Sequence, residues 1–324
     1  MDTKNLTAVQ IAEKIINSEN LQPADDLKFL LEIPLEELQR GAGLIQKKFC
    51  GNHIDLCTII NGKSGRCGEN CKYCAQSAKH NTGIDEYNFL STKEILAVAK
   101  MNEKSGVNRF SIVTSSRALT GADFEKAVET YKILRENLKI DLCASHGILT
   151  AEQFKKLRAT GVTSYHHNIE TSRRFFPEIC TSHTYDDRIN TIKLAQAAGF
   201  NVCSGGIIGM GENWQDRIDM AFELFNLKIK SIPINALMAV KGTPLENRPP
   251  LSAEEILRTV AIFRFINPDA NIRLAAGRKL LPDFGASALL HGASASITGN
   301  MLTTSGTTIK SDIELLKKLG LENN

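Results

Sequence analysis

A complete (β/α)8 TIM-type barrel with an N-terminal helical cap is the fold class the sequence predicts, on three observations. From residue 54 onward, short apolar runs alternate with amphipathic stretches eight times, the rhythm of parallel strands each followed by a covering helix. Several of the amphipathic stretches open on capping-box signals, where a Ser or Thr precedes Glu or Gln by three residues. The turn after the first strand carries cysteines and not the glycine-rich fingerprint that opens a doubly wound dinucleotide fold.

Residues 1–50 read as a helical segment set apart from a barrel over 51–324. Ala8, Ile11 and Ile15 recur at helical spacing with Val9, Ala12 and Ile16 beside them; Leu27, Leu30 and Leu31 repeat the pattern. Pro34 then opens a third helix, a position where its missing N–H costs nothing. The candidate strands are Ile54–Ile60, Asn108–Thr114, Ile140–Ser145, Ser164–Ile169, Asn201–Ile208, Ser231–Leu237, Ile272–Leu274 and Ala295–Thr298. Helix starts fall at Ser91–Glu94, Thr150–Gln153, Ser252–Glu255 and Ser311–Glu314. Arg248-Pro-Pro-Leu251 is a local turn.

Composition narrows the function. The chain has 324 residues, 42% hydrophobic and 23% charged, with net charge +3, which is ordinary for a globular protein. No Lys/Arg block stands out and aromatics reach only 6%, against the basic stripe and stacking platform of a nucleic-acid binder. The N-terminal stretch lacks an apolar signal core and no run approaches membrane-spanning length, so no membrane partner is expected. Eight cysteines without an export signal point to a reducing cytoplasm and metal binding instead of disulfides.

The metal chemistry starts at Cys67-x3-Cys71-x2-Cys74. Three thiolates on one tight loop suit three corners of a cubane cluster and leave one iron open to a substrate or cofactor. A zinc knuckle is the competing reading, but it needs a second ligand pair at short spacing, and none follows. Cys57, Cys143 and Cys203 sit on the first, third and fifth candidate strands, and Arg273 on the seventh. Alternate strands supply one layer of a barrel interior, so these four point to a second metal site; burial of cysteines as small hydrophobes is the alternative.

The fourth candidate strand is polar where a packed barrel should be apolar. Alternation places His166, Asn168 and Glu170 on one face and His167 on the other. A buried face of that kind needs partners, and Asn235 on the sixth strand adds an amide suited to a urea-like group. Ser204-Gly-Gly-Ile-Ile-Gly-Met-Gly-Glu212 would let a nucleotide approach the backbone, although a ligand-free turn reads equally well. Arg188 could hold a carboxylate. His53, His80, His146, His183 and His291 show no ligand spacing and read as structural.

The cysteine loop, with an aromatic before its last cysteine, resembles the signature of radical S-adenosylmethionine (SAM) enzymes. The wider pattern is similar to the biotin synthase family from about residue 40 to 320. It includes His167-Asn168-Ile-Glu-Thr171-Ser172, Val202-Cys203 through Glu212, Ile232-Pro-Ile-Asn235, Gly242-Thr-Pro-Leu245, Arg273-Leu-Ala-Ala-Gly-Arg278 and Leu302-Thr-Thr304. This resemblance implies a homodimeric barrel that converts dethiobiotin to biotin, using SAM and sulfide from an auxiliary iron–sulfur cluster. It implies that Cys67, Cys71 and Cys74 hold the 4Fe–4S cluster. Tyr73, Glu170, Thr171, Ser172, Arg188, Gly206, Ile207, Gly209 and Gly211 would surround SAM, and Asn168 and Asn235 would grip dethiobiotin. Flavodoxin or ferredoxin would donate electrons.

One departure matters. The family usually carries an auxiliary-cluster cysteine in Arg-Phe-Cys on the second strand, whereas this chain has Arg109-Phe110-Ser111; Cys57 stands where the family usually has serine. Serine is a poor iron ligand beside thiolate. The ligand set expected is therefore Cys57, Cys143, Cys203 and Arg273, with Ser111 the alternative to Cys57 and the cluster either 2Fe–2S or larger. Cys50 and Cys180 read as structural thiols, and His166 replaces a family asparagine. A related maturase or mutase barrel is the rival within the superfamily.

Overall fold

In the computed structural model, which describes residues 6–23, 27–302 and 306–323, the strands are β1 (Asp55–Lys63), β2 (Arg109–Thr114), β3 (Asp141–Ser145), β4 (Ser164–His166), β5 (Asn201–Cys203), β6 (Gly206–Ile208), β7 (Ser231–Ala236), β8 (Asn271–Leu274) and β9 (Ala295–Ile297). Every pairing among them is parallel, β9 returns to β1, and both β5 and β6 pair with β7. β5 and β6 together fill the fifth position of a closed eight-position barrel. Parallel neighbours need covering crossovers, which here are helical.

The helices are α1 (Ala8–Ile16), α2 (Phe29–Glu32), α3 (Leu35–Cys50), α4 (Thr92–Lys104), α5 (Gly121–Asn137), α6 (Ala151–Arg158), α7 (Phe176–Ile179), α8 (Tyr185–Ala197), α9 (Trp214–Asn226), α10 (Ala253–Ile266), α11 (Ala286–Leu290) and α12 (Ile309–Leu319). The N-terminal cap seats on α10: Arg258 donates to the carbonyls of Leu30 and Ile33. Gln46 of α3 holds Leu289 O and Gly292 N at the end of α11. These bonds satisfy carbonyls at helix ends that would otherwise be buried without partners.

Several elements differ from their sequence reading, each for a local reason. The Leu27–Leu31 pattern yields only the single turn of α2. α12 is capped by Thr308, with Ser311 at its third position, so the expected start at Ser311 is three residues late. Ser252 caps Glu255 N as expected, but the glutamate reaches the Ser252 hydroxyl and not its amide. Thr303 and Thr304 of the Leu302-Thr-Thr motif lie outside the described residues.

The fourth strand stops at His166, short of Ile169, because the chain beyond turns toward the fifth. His167 N donates to Cys203 O, and the amides of Ile169 and Glu170 both reach Gly205 O. Glu170 then takes a left-handed φ of 71°, a conformation L-residues seldom adopt outside functional or tightly determined sites. The same crossing splits the fifth strand. A Cβ on Gly205 would sit 2.0 Å from Pro233 O, and one on Gly206 2.4 Å from Glu170 O.

Register around the barrel rises by one residue per strand, as a shear of about eight requires. Cys57 lies beside Arg109, and one step up is Phe110; Phe110 lies beside Leu142, and one step up is Cys143. Continued in this way the path runs through Tyr165, Cys203, Ile232, Arg273 and Ser296 and closes on Cys57. Cys57, Cys143, Cys203 and Arg273 therefore share one interior layer. Ser111 belongs to the layer above, with His166, Pro233 and Ile297.

Candidate active site

A cavity of about 400 Å³ fills the upper barrel, and the cysteine loop closes one side of it. Cys67, Cys71, Cys74, Tyr73, Asn168, Glu170, Arg188, Ile207, Asn235, Cys57, Cys143, Cys203, Arg273 and Ser111 all line it. Thr171, Ser172, Gly206, Gly209 and Gly211 do not. Strands point their C-terminal ends at this cavity, the usual place for chemistry on this fold.

The loop from Gly65 to His80 is tied at both ends. Cys67 N donates to Gln76 O, Ala78 N to Cys67 O, and Cys74 N to Cys71 O, at 3.0, 2.7 and 2.9 Å. Ser115 Oγ holds Gly65 O at 2.6 Å. Burial raises the Cys67 thiol above its ordinary value and lifts Cys74 to about 11. Cys71 is raised chiefly by its hydrogen bond with Cys180. Converging thiols that stay protonated on their own need a cation to hold them as thiolates, so the donor set fits an iron–sulfur group.

One layer of the barrel forms the floor. Burial pushes Cys57 to about 11 and Cys143 to about 12. Burial also raises Cys203, but the His166 hydrogen bond and the positive charges of His166 and Arg273 bring it down to about 7. His166, from the layer above, thus pairs with Cys203. Beneath the thiols lies Asp55, 3.1 Å from Arg273 and 3.3 Å from Arg109. Arg273 also donates to the carbonyls of Asp55 and Ser296.

Between loop and floor the wall is polar. Asn168 Oδ1 accepts from Gly205 N and its Nδ2 donates to Glu170; Asn235 Nδ2 donates to Gly206 O and its Oδ1 accepts from Ala276 N. Each amide keeps one N–H and one lone pair for a ligand. Arg188 is buried, 3.2 Å from the Glu170 carboxylate and bonded to Asn168 O and His183 Nε2. His167 also lines the cavity, contrary to its expected outward face, because alternation ends with the strand at His166.

Other expected contacts are turned to packing. Ser172 Oγ donates to Asp216 at 2.6 Å and accepts from Phe175 N. The amides of Gly209, Met210 and Gly211 all donate to the carboxylate of Glu212, which is also paired with Arg217. Sequence reasoning missed Asp55, Arg109, Glu69, Cys180 and His183. No pattern signals an aspartate at a strand start. Cys180 lies 109 residues from Cys71 along the chain yet 3.6 Å away in space, and His183, read as structural, joins them.

The Radical SAM superfamily model matches residues 63–224, and that of the Biotin and Thiamin Synthesis associated domain matches residues 233–322. A biotin synthase of Alkaliphilus metalliredigens is 56% identical over 320 residues, covering 99% of each chain. One from Clostridium beijerinckii is 56% identical over 311 residues, 96% of this chain and 98% of that one. Among solved structures, methylornithine synthase superposes with a TM-score of 0.84 at 20% identity over 97% of both chains. The FeFe-hydrogenase maturase HydG from Carboxydothermus hydrogenoformans gives 0.77 at 17% identity, over 98% of this chain and 79% of that one. These two likenesses concern the fold.

Proposed function

The chain belongs to the biotin synthase family of the radical SAM superfamily, and on that premise we propose how its residues divide the insertion of sulfur into dethiobiotin. Cys67, Cys71 and Cys74 would hold a 4Fe–4S cluster, and Cys57, Cys143, Cys203 and Arg273 would hold an auxiliary one. When bound, the first supplies the electron that cleaves SAM to a 5′-deoxyadenosyl radical, and the second supplies the sulfide. All other tasks fall to the protein.

Arg188, Glu170 and Tyr73 bind and orient SAM beside the loop. Asn168 and Asn235 grip the ureido ring of dethiobiotin with their spare amide valences, which aims its tail at the floor. The apolar wall of Ile59, Val113, Ile207 and Ile297 excludes water that would divert a radical. Thr171, Ser172 and the glycines at 206, 209 and 211 act from behind the wall, by shaping the backbone that carries Glu170 and Ile207. Asp55 compensates the charge of Arg273 beneath the auxiliary group.

The single observation that carries this reading is the shared layer of Cys57, Cys143, Cys203 and Arg273 in the cavity that the cysteine loop closes. Ser111 lies one layer higher, which supports Cys57 over Ser111 as the third ligand beside Cys143 and Cys203. Size of the auxiliary group, 2Fe–2S or larger, follows from iron and sulfide analysis with Mössbauer spectra. From the resemblance we add a homodimer, a flavodoxin or ferredoxin donor and a cytoplasmic setting, with residues 1–50 serving as a helical segment beside the 51–324 barrel.

Anaerobically purified protein is expected to be brown and, once reduced, to cleave SAM only when dethiobiotin is present. Cleavage insensitive to dethiobiotin would favour a maturase or mutase activity, and a colourless zinc protein would sink both. Cys57→Ala is expected to remove the auxiliary iron and sulfide while Ser111→Ala retains them; the opposite pattern restores Ser111 as ligand.

A further inference from the structure

Beside the cluster loop lies a second set of metal-type donors that the proposed reaction does not use. Cys180 Sγ is 3.6 Å from Cys71 Sγ, and it stands 3.4 Å from Nδ1 and 3.8 Å from Nε2 of His183. All three residues are buried, with donor atoms within 4.8 Å of one another. The α7–α8 loop that carries Cys180 and His183 is fastened to the cysteine loop. Asn70 Oδ1 accepts from the amides of Thr181 and Ser182, and Lys72 N donates to Ile179 O.

The spacing decides what these donors can hold. Two thiolates about 2.3 Å from one tetrahedral ion lie roughly 3.8 Å apart. Thiolates on different corners of a cubane stand much farther from each other, since each points outward from its own iron. At 3.6 Å the Cys71–Cys180 pair matches one ion. The imidazole is already set for the task. His183 Nε2 accepts from Arg188 Nε at 3.0 Å, which fixes Nδ1 as the protonated nitrogen, and Nδ1 donates to Glu69. A carboxylate behind the N–H of a histidine is the usual arrangement of a metal-bound imidazole.

We propose that Cys71, Cys180 and His183 form a mononuclear, tetrahedral site for a thiolate-preferring divalent ion of the Fe²⁺–Zn²⁺ class. The ion takes the Nε2 lone pair from Arg188, which keeps its bonds to Asn168 O and Glu170. Thiol protons leave to solvent as the thiolates form, and water completes the coordination. On the reading that Cys71 is a cluster ligand, the two metal sites exclude each other. The mononuclear site then keeps one ion next to the loop until a cubane claims Cys71.

Co²⁺ is the probe, added anaerobically to the full-length Cys57→Ala/Cys67→Ala/Cys74→Ala/Cys143→Ala variant, which keeps neither the loop thiols of a cubane nor the floor pair that would compete for the ion. One equivalent is expected to bind with the visible d–d and thiolate charge-transfer bands of a tetrahedral site, and Zn²⁺ is expected to displace it. Adding Cys180→Ala should weaken binding at least about tenfold and remove those bands. His183→Ala should shift the bands by replacing a nitrogen donor, and far-UV circular dichroism checks that each variant is folded. A Cys180→Ala variant of that background that binds Co²⁺ unchanged, or a quadruple variant that binds none, overturns the site. Failure of the wild-type chain to rebuild a cubane would instead count against the functional reading and leave the cobalt result standing.

Discussion

Asp55 stands between two guanidinium groups at the barrel floor, 3.1 Å from Arg273 and 3.3 Å from Arg109. Removing one member of a buried ionic cluster leaves the others uncompensated, which commonly costs about 3–5 kcal/mol. Asp55→Asn is therefore expected to lower unfolding stability by roughly 3 kcal/mol and to loosen the auxiliary iron, read by denaturant titration and by iron content. His146 makes a pH prediction. Burial between Thr114 and Tyr131 brings its pKa down to about 3, whereas an unfolded histidine titrates near 6.5. The unfolded chain binds the extra proton between those values, so stability falls as pH drops from about 6.5 to 3. The slope is about 1.4 kcal/mol per pH unit from this one group. His146→Gln should flatten the pH dependence of the urea midpoint between pH 6 and 4 by about one proton; an unaltered slope would show that His146 is not the group.

The junction of β4 with β5 and β6 is the element on which the site depends. It carries Asn168 and Glu170, and it exists because Gly205 and Gly206 let the chain pass against Pro233 and Glu170. Gly205→Ala places a methyl 2.0 Å from Pro233 O. Overpacking typically costs about 1–3 kcal/mol, and backbone contact leaves no flexible side chain to yield. The melting temperature should fall and the SAM-dependent reaction should fail together, because the same junction sets the Glu170 φ. A variant with normal melting and normal turnover would refute the role of that crossing. At the C-terminal end, α12 offers a cleaner test of local structure. Thr308 accepts from Ser311 N at 3.1 Å, so Thr308→Ala should cost about 1 kcal/mol, as loss of an N-cap does.

For the whole molecule, the cysteine loop adds Cys71, with Tyr73 and Cys74 packed against it, to a core drawn mainly from the strands and helices of the barrel. The buried apolar set runs from Ala8 and Ile11 through Phe110, Tyr165, Ile232 and Phe265. Chelating the iron from the protein is thus expected to leave far-UV circular dichroism unchanged while SAM cleavage is lost; collapse of the helical signal would mean that metal binding is coupled to folding. Legibility in the sequence followed the range of the interaction. All eight barrel positions were readable, since strand and crossover helix are written in periodicity within a few residues. Their ends were less so: β4 stops early and the fifth position splits because of contacts to Gly205 and Pro233. The Gly209–Gly211 amides, suited on sequence to a ligand, instead hold Glu212.

Residue type and spacing alone determined the barrel, the three-thiol loop and the membership of Cys57, Cys143, Cys203 and Arg273 in one candidate set. Alternation and spacing are local quantities, and a barrel layer draws on alternate strands by geometry that holds for any sequence. Tertiary structure decided the rest. It lifted Ser111 out of the layer that holds Cys57, set Asp55 beneath Arg273, and gave His166 to Cys203. It also brought Cys180 and His183 to the side of Cys71. Those outcomes depend on register summed around a closed sheet and on the docking of a distant loop, and neither is written in any short stretch of chain.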